Sequence, residues 1–129
     1  GIVSSDGKEY YSHKGQGLVS DIFKYNNLDK LKGTTAVGHV RYSTTGSNHI
    51  KNAQPLIAKY KNGNIAVSHN GNIINANELR KELESRGAIF QSSTDSEILL
   101  HMIAQSQCED FEEALIISAT RLKGAYSLI

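Results

Sequence analysis

The chain has 129 residues, a formal net charge of +1, 39% hydrophobic residues and 21% charged residues. This is the composition of one ordinary globular domain, and its scattered Lys and Arg leave no footprint for nucleic acid or an anionic membrane. No apolar run approaches the roughly 20 residues that span a bilayer, no signal peptide is visible, and a single cysteine, Cys108, excludes an internal disulfide and fits a reducing compartment, the cytoplasm by default.

The chain opens in an apolar run at Gly1-Ile2-Val3 and closes on Ala125–Ile129, so a fragment of a longer protein is expected. Asp6-Gly7 lies between strand-formers at 2–5 and 8–12, which predicts a hairpin with a type I′ turn. Residues 17–24 read as a short helix and 36–43 as a strand. Leu56–Tyr60 and 65–69 flank Lys61-Asn62-Gly63-Asn64, a second hairpin. The period then changes. Asn75 and Glu78 match a capping box, Leu79 and Leu83 follow at helical spacing, and Gly87 can end the helix. Residues 88–91 read as a short strand. Thr94 and Glu97 match a second capping box, backed by the apolar stripe Ile98, Leu99, Met102 and Ile103. Phe111, Leu115, Ser118 and Leu122 line a third helix, and Gly124 follows it. Hairpins first and helices after them argue an α+β fold with helices packed on antiparallel sheet.

Three segments carry residues suited to chemistry. In Gly38–Gly46 (GHVRYSTTG), Arg41 and Thr44 leave a strand for a loop. A guanidinium beside a hydroxyl can grip a carboxylate through two parallel hydrogen bonds, or Arg41 is an ordinary surface arginine. In Ser68–Asn72 (SHNGN), Asn70-Gly71 reads as a tight turn. Alternatively, an amide side chain and an unhindered glycine N–H both point at one developing oxyanion. In Ser92–Glu97 (SSTDSE), Asp95 sits in the first turn behind Thr94. There it complements the helix dipole or receives a substrate ammonium. The five histidines have no metal-ligand spacing, and His39 and His69 read as structural. Cys108 stands beside Glu109 and Asp110 with no base next to it, which argues against a reactive thiol.

GHVRYSTTG, Asn52–Pro55 (NAQP), SHNGN and Thr94–Glu97 (TDSE), in this order over nearly the whole chain, resemble glutamine amidotransferases whose nucleophile is an N-terminal cysteine. RYSTTG, NAQP and HNGN look most like the amidophosphoribosyltransferase family, which opens purine biosynthesis. Sugar-phosphate relatives more often carry a tryptophan after the arginine, and this chain has none. The resemblance implies an αββα sandwich of antiparallel sheets between helical layers, present here in part, with a phosphoribosyltransferase domain outside the chain. It implies that Arg41 and Thr44 hold the α-carboxylate of L-glutamine, that Asp95 binds its α-ammonium and that Gly71 helps seat it. It also implies that the Asn70 side chain and the Gly71 N–H form the oxyanion hole, and that Tyr42 helps couple this site to the phosphoribosyl pyrophosphate site.

The same resemblance implies magnesium at the phosphoribosyl pyrophosphate site, an iron–sulfur cluster in some members, and a homo-oligomer for the full-length protein; none is expected on these residues. The family's first residue is the nucleophilic cysteine, and position 1 here is Gly1. The 129 residues alone are therefore expected not to hydrolyse glutamine. Two other readings fit the same motifs: a glutaminase module serving a sugar-phosphate or aspartate acceptor, and a non-catalytic amino-acid-binding module.

Overall fold

The computed structural model describes residues 1–41 and 49–129. The expectations at Tyr42 and Thr44, and the last part of the strand expected over 36–43, lie outside the described residues.

The first sheet has the order β2-β1-β3, built from β1 (Ile2–Ser5), β2 (Tyr10–His13) and β3 (Thr35–Gly38), all antiparallel. The β1–β2 loop is longer than a type I′ turn, since Ser5 pairs with Tyr10. Only Gly7 takes positive φ there, because Asp6 acts through its side chain: Oδ1 accepts from the N–H groups of Lys8 (2.9 Å) and Glu9 (2.8 Å), and Oδ2 from the Tyr11 hydroxyl (2.8 Å). These bonds hold Asp6 down to a pKa of about 2. The short helix expected over 17–24 is a single turn, α1 (Val19–Ile22), and a second turn follows it, α2 (Tyr25–Leu28). Both are too short to bury an apolar stripe.

A 3-10 turn at Ile50–Asn52 leads into β4 (Leu56–Tyr60) and β5 (Gly63–Val67). Tyr60 pairs with Gly63, so only Lys61-Asn62 forms the turn, two residues fewer than expected. Gly63 absorbs the backbone reversal at φ +120°. The last pair is β6 (His69–Ile73) with β7 (Gly124–Leu128).

Three helices cover the sheets. In α3 (Ala76–Ser85), Leu79 and Leu83 point inward one turn apart. Asn75 begins this helix as expected, but its side chain makes no cap bond. It bridges instead to the Arg121 carbonyl (2.9 Å) and the Lys123 N–H (2.9 Å), 46 and 48 residues away. Gly87, at φ +88°, ends α3 in a Schellman motif: its N–H reaches the Glu84 carbonyl and that of Ala88 reaches Leu83.

Central α4 (Glu97–Gln105) buries Ile98, Leu99, Leu100, Met102 and Ile103, and packs against both neighbouring helices and β4. In α5 (Phe111–Thr120) the Asp110 carboxylate caps the Glu113 N–H at 2.8 Å. Ala114 and Ser118 face the core with Leu122, whereas Phe111, expected inside, is exposed with Ile116 and Ile117. The core joins β4, β5 and β6 to α3, α4 and α5. No helix is long and apolar enough to cross a membrane, among the described residues.

Candidate functional site

One end of this core opens into a cleft of about 1300 Å³. Arg41, Asn70, Gly71 and Asp95 all line it. They come from the segment after β3, from the middle of β6 and from the turn before α4. The fold thus gathers every described residue singled out above for chemistry.

Asn70-Gly71 is not a turn. Both residues sit inside β6, opposite Ser127 and Tyr126 of β7. Gly71 holds φ +140°, and an added Cβ would lie 2.6 Å from the Tyr126 Cα and closer still to the Ala125 carbonyl. Glycine is required there by backbone conformation and by space. Ser68 and Ile129 exchange two backbone hydrogen bonds, 2.8 and 3.0 Å. Antiparallel ladders alternate, so the next exchanging pairs are Asn70–Ser127 and Asn72–Ala125. The N–H groups of His69, Gly71 and Ile73 therefore point away from β7, along the free edge of β6. Two have partners: His69 N–H donates to Gln54 Oε1 at 2.6 Å, and Ile73 N–H to Asp95 Oδ2 at 3.0 Å. Between them the Gly71 N–H faces the cleft.

Beneath this edge lies a buried polar network. Ser96, fully enclosed, receives Gln54 Nε2 at 3.1 Å and contacts His69 Nδ1 at 3.0 Å. Its hydroxyl lies 3.5 Å from Asp95 Oδ1, and His69 Nδ1 is 3.4 Å from the same oxygen. His69 Nε2 has no hydrogen-bond partner among the described residues. The His39 ring donates to the His69 carbonyl at 3.1 Å, which ties the first sheet to β6. Burial pushes the His39 pKa down, against the pull of that hydrogen bond. Both histidines are structural groups, as expected. No local sequence feature of Gln54 or Ser96 points to a role. Only the NAQP and TDSE motifs mark their positions.

The loop before α4 differs from expectation. Residues 88–91 form no strand, and Thr94 does not cap the helix, which starts at Glu97 after Ser96 with no side-chain cap bond. Glu97 folds back instead. Its carboxylate accepts from Gln91 N–H (2.8 Å), Ser92 N–H (2.7 Å) and Ser92 Oγ (2.5 Å). Burial raises its pKa, but these bonds outweigh that and hold it below the ordinary range. Arg80 donates to the carbonyls of Ser92 (3.1 Å) and Thr94 (3.2 Å) while stacking on Phe90. Ser93 pairs with Asn52, at 2.9 and 3.1 Å. Asp95 is thus presented by a loop braced from three sides.

Cys108 is half-buried beside a smaller cavity of about 300 Å³ lined from α3, α4 and α5, and it does not line the cleft. No three His, Cys, Asp or Glu side chains converge as metal ligands among the described residues.

A family model described as "Glutamine amidotransferase domain" matches residues 39–129, which hold every lining residue of the cleft except Gly38. The chain belongs to the glutamine amidotransferase domain family. Among its relatives, the amidophosphoribosyltransferase of Bacillus subtilis (strain 168) is 44% identical over 130 residues, covering 100% of this chain and 27% of that protein. That of Methanocaldococcus jannaschii is 47% identical over 131 residues, covering 100% and 28%. A solved structure described as the allosteric regulatory enzyme of purine biosynthesis matches with a TM-score of 0.93 at 44% identity, over 98% of this chain and 28% of that one. The B. subtilis glutamine phosphoribosylpyrophosphate amidotransferase complexed with ADP and GMP matches at 0.90 and 42%, over 98% and 27%. The glutamine amidotransferase domain thus has the expected α+β architecture, the αββα sandwich of N-terminal-nucleophile hydrolases, here in part. The chain spans about a quarter of the length of these relatives.

Proposed function

We propose that the chain is the glutamine-binding part of an amidophosphoribosyltransferase, in which ammonia from glutamine is passed to phosphoribosyl pyrophosphate on a domain outside these residues, the first step of purine biosynthesis. The observation that carries this reading is the convergence of Arg41, Asn70, Gly71 and Asp95 on one cleft, with the Gly71 N–H on a free strand edge.

Glutamine's side-chain amide is a poor electrophile, so a thiolate attack needs stabilisation of the oxyanion it creates. The Asn70 amide and the Gly71 N–H supply the donors. Arg41, with Thr44, holds the α-carboxylate, and Asp95 takes the α-ammonium, which positions the amide for attack. Tyr42 helps couple this site to the phosphoribosyl pyrophosphate site. The resemblance assigns the thiol to the family's N-terminal cysteine; Cys108 lies away from the cleft. The 129 residues by themselves are expected to release no ammonia. The lone cysteine fits a reducing compartment such as the cytoplasm.

The test is ammonia release from glutamine by the full-length gene product, with and without phosphoribosyl pyrophosphate. Release that rises with this acceptor supports the reading. Release indifferent to it keeps the glutaminase and transfers it to a sugar-phosphate or aspartate acceptor. No release overturns the enzyme reading in favour of an amino-acid-binding module.

A further inference from the structure

We propose that Gln54 is a positioning residue for the Gly71 oxyanion donor, acting with Asp95 as two pegs that fix the free edge of β6 on either side of that glycine. This rests on the oxyanion role assigned to Gly71 above.

The geometry is specific. Along the free edge, the N–H groups of His69, Gly71 and Ile73 follow one another at every second residue. The first is held by the buried Gln54 side chain at 2.6 Å and the third by Asp95 at 3.0 Å. Both pegs stand beside the same enclosed hydroxyl, that of Ser96. The held segment needs support. Gly71 is the most permissive residue on the strand, and it sits at φ +140°, where no side chain packs to restrain it. On the other side β7 restrains Asn70 and Asn72, so the direction of the Gly71 N–H depends on both edges being fixed.

A donor aimed in advance at the site of charge development costs no reorganisation when the charge appears. Loosening it weakens the transition state and leaves ground-state glutamine, held by its two charged ends, almost untouched. Gln54 therefore acts on kcat. Asp95 acts on both kcat and KM, because one of its oxygens is a peg while the same carboxylate faces the substrate ammonium.

The experiment uses the full-length gene product carrying Gln54→Met, which keeps the side-chain length and removes both the acceptor and the donor. Expected is a fall of about 10- to 100-fold in kcat for glutamine hydrolysis, smaller than the roughly 10²- to 10³-fold cost of deleting an oxyanion donor outright. KM for glutamine stays within about two-fold, and product formation from added ammonia is unchanged. A kcat equal to wild type, or parallel losses in kcat, KM and ammonia-driven activity, overturns the proposal. Hydrogen exchange of segment 68–74 supplies a readout independent of turnover. The Gln54→Met protein is expected to lose protection at His69, whose N–H loses its acceptor, and unchanged exchange there overturns the clamp. A wild-type protein that hydrolyses no glutamine refutes the oxyanion reading, while the exchange result still decides whether the clamp exists.

Discussion

The dipeptide Asn-Gly occurs twice in this chain, and the two copies do opposite things. Asn62-Gly63 helps reverse the chain between β4 and β5, and an added Cβ on Gly63 meets nothing within 4 Å. Asn70-Gly71 runs straight through β6, and an added Cβ on Gly71 collides with the backbone of β7. Both glycines hold positive φ, +120° and +140°. The local preference is the same in each. The difference is what stands opposite: solvent in one case, a paired strand and a cleft in the other. A glycine that serves only conformation is a turn, whereas one that also excludes a side chain lets a backbone N–H reach a ligand.

Four changes test this contrast. The largest effect is expected at the proposed oxyanion donors. Asn70→Ala lowers kcat for glutamine hydrolysis by about 10²- to 10³-fold with little change in KM, measured by ammonia release. The matching Asn62→Ala leaves both constants unchanged. Gly71→Ala comes next. It combines overpacking with a strained backbone, about 3 kcal/mol in all, whereas Gly63→Ala carries only the backbone strain, about 1–2 kcal/mol. Urea midpoints of the two variants measure the gap, and equal losses would erase the distinction drawn here.

The third test moves to the loop that presents Asp95. Glu97→Gln removes a charged acceptor from the buried Ser92 and from the Gln91 N–H, and costs about 2–3 kcal/mol. The folded pKa of Glu97 lies below its ordinary value of 4.5. Its contribution is therefore complete above that pH and is lost as pH falls through the lower, folded value. The wild-type acid limb should flatten in Glu97→Gln, as followed by circular dichroism between neutral pH and acid. The smallest effect belongs to the Asp6-Gly7 turn, which is solvent-exposed. Asp6→Asn should remove a weak stability change confined to the interval between pH 3.8 and about 2, read as a loss of pH dependence in the Tyr11 environment.

Legibility in the sequence followed the range of the interaction. Leu79 with Leu83, and Ile98 with Met102, announced their helices because the packing face repeats at local spacing. Gly87 announced its helix end for the same reason. The β4–β5 hairpin was visible, but its turn is shorter than expected and its second strand, expected over 65–69, ends at Val67, since His69 opens β6. Failures came wherever a distant partner captured a local signal. Asn75 looked like a cap residue, but its amide is taken by the chain near Arg121 and Lys123. Thr94 and Glu97 had cap-box spacing, but Glu97 turned back to Gln91 and Ser92. The strand expected at 88–91 found no partner strand. The four described site residues line one cleft, and motif order, not spacing, is what grouped them in the sequence. Gln54 and Ser96 were missed as working parts because they meet across 42 residues of sequence.

Ser96 has one proton to give, and counting protons around it fixes the state of His69. If His69 carried its hydrogen on Nε2, the Ser96 hydroxyl would donate to Nδ1. The Nε2 hydrogen would then be buried without an acceptor among the described residues. If the hydrogen sits on Nδ1, Ser96 accepts from both His69 and Gln54 and its own proton is free to turn toward Asp95. Every donor then has a destination, and an orphan acceptor is more tolerable than an orphan donor. The network therefore selects the Nδ1–H tautomer, the less common form of a free imidazole, and its dipoles run in one direction, from Gln54 and His69 through Ser96 to the Asp95 carboxylate.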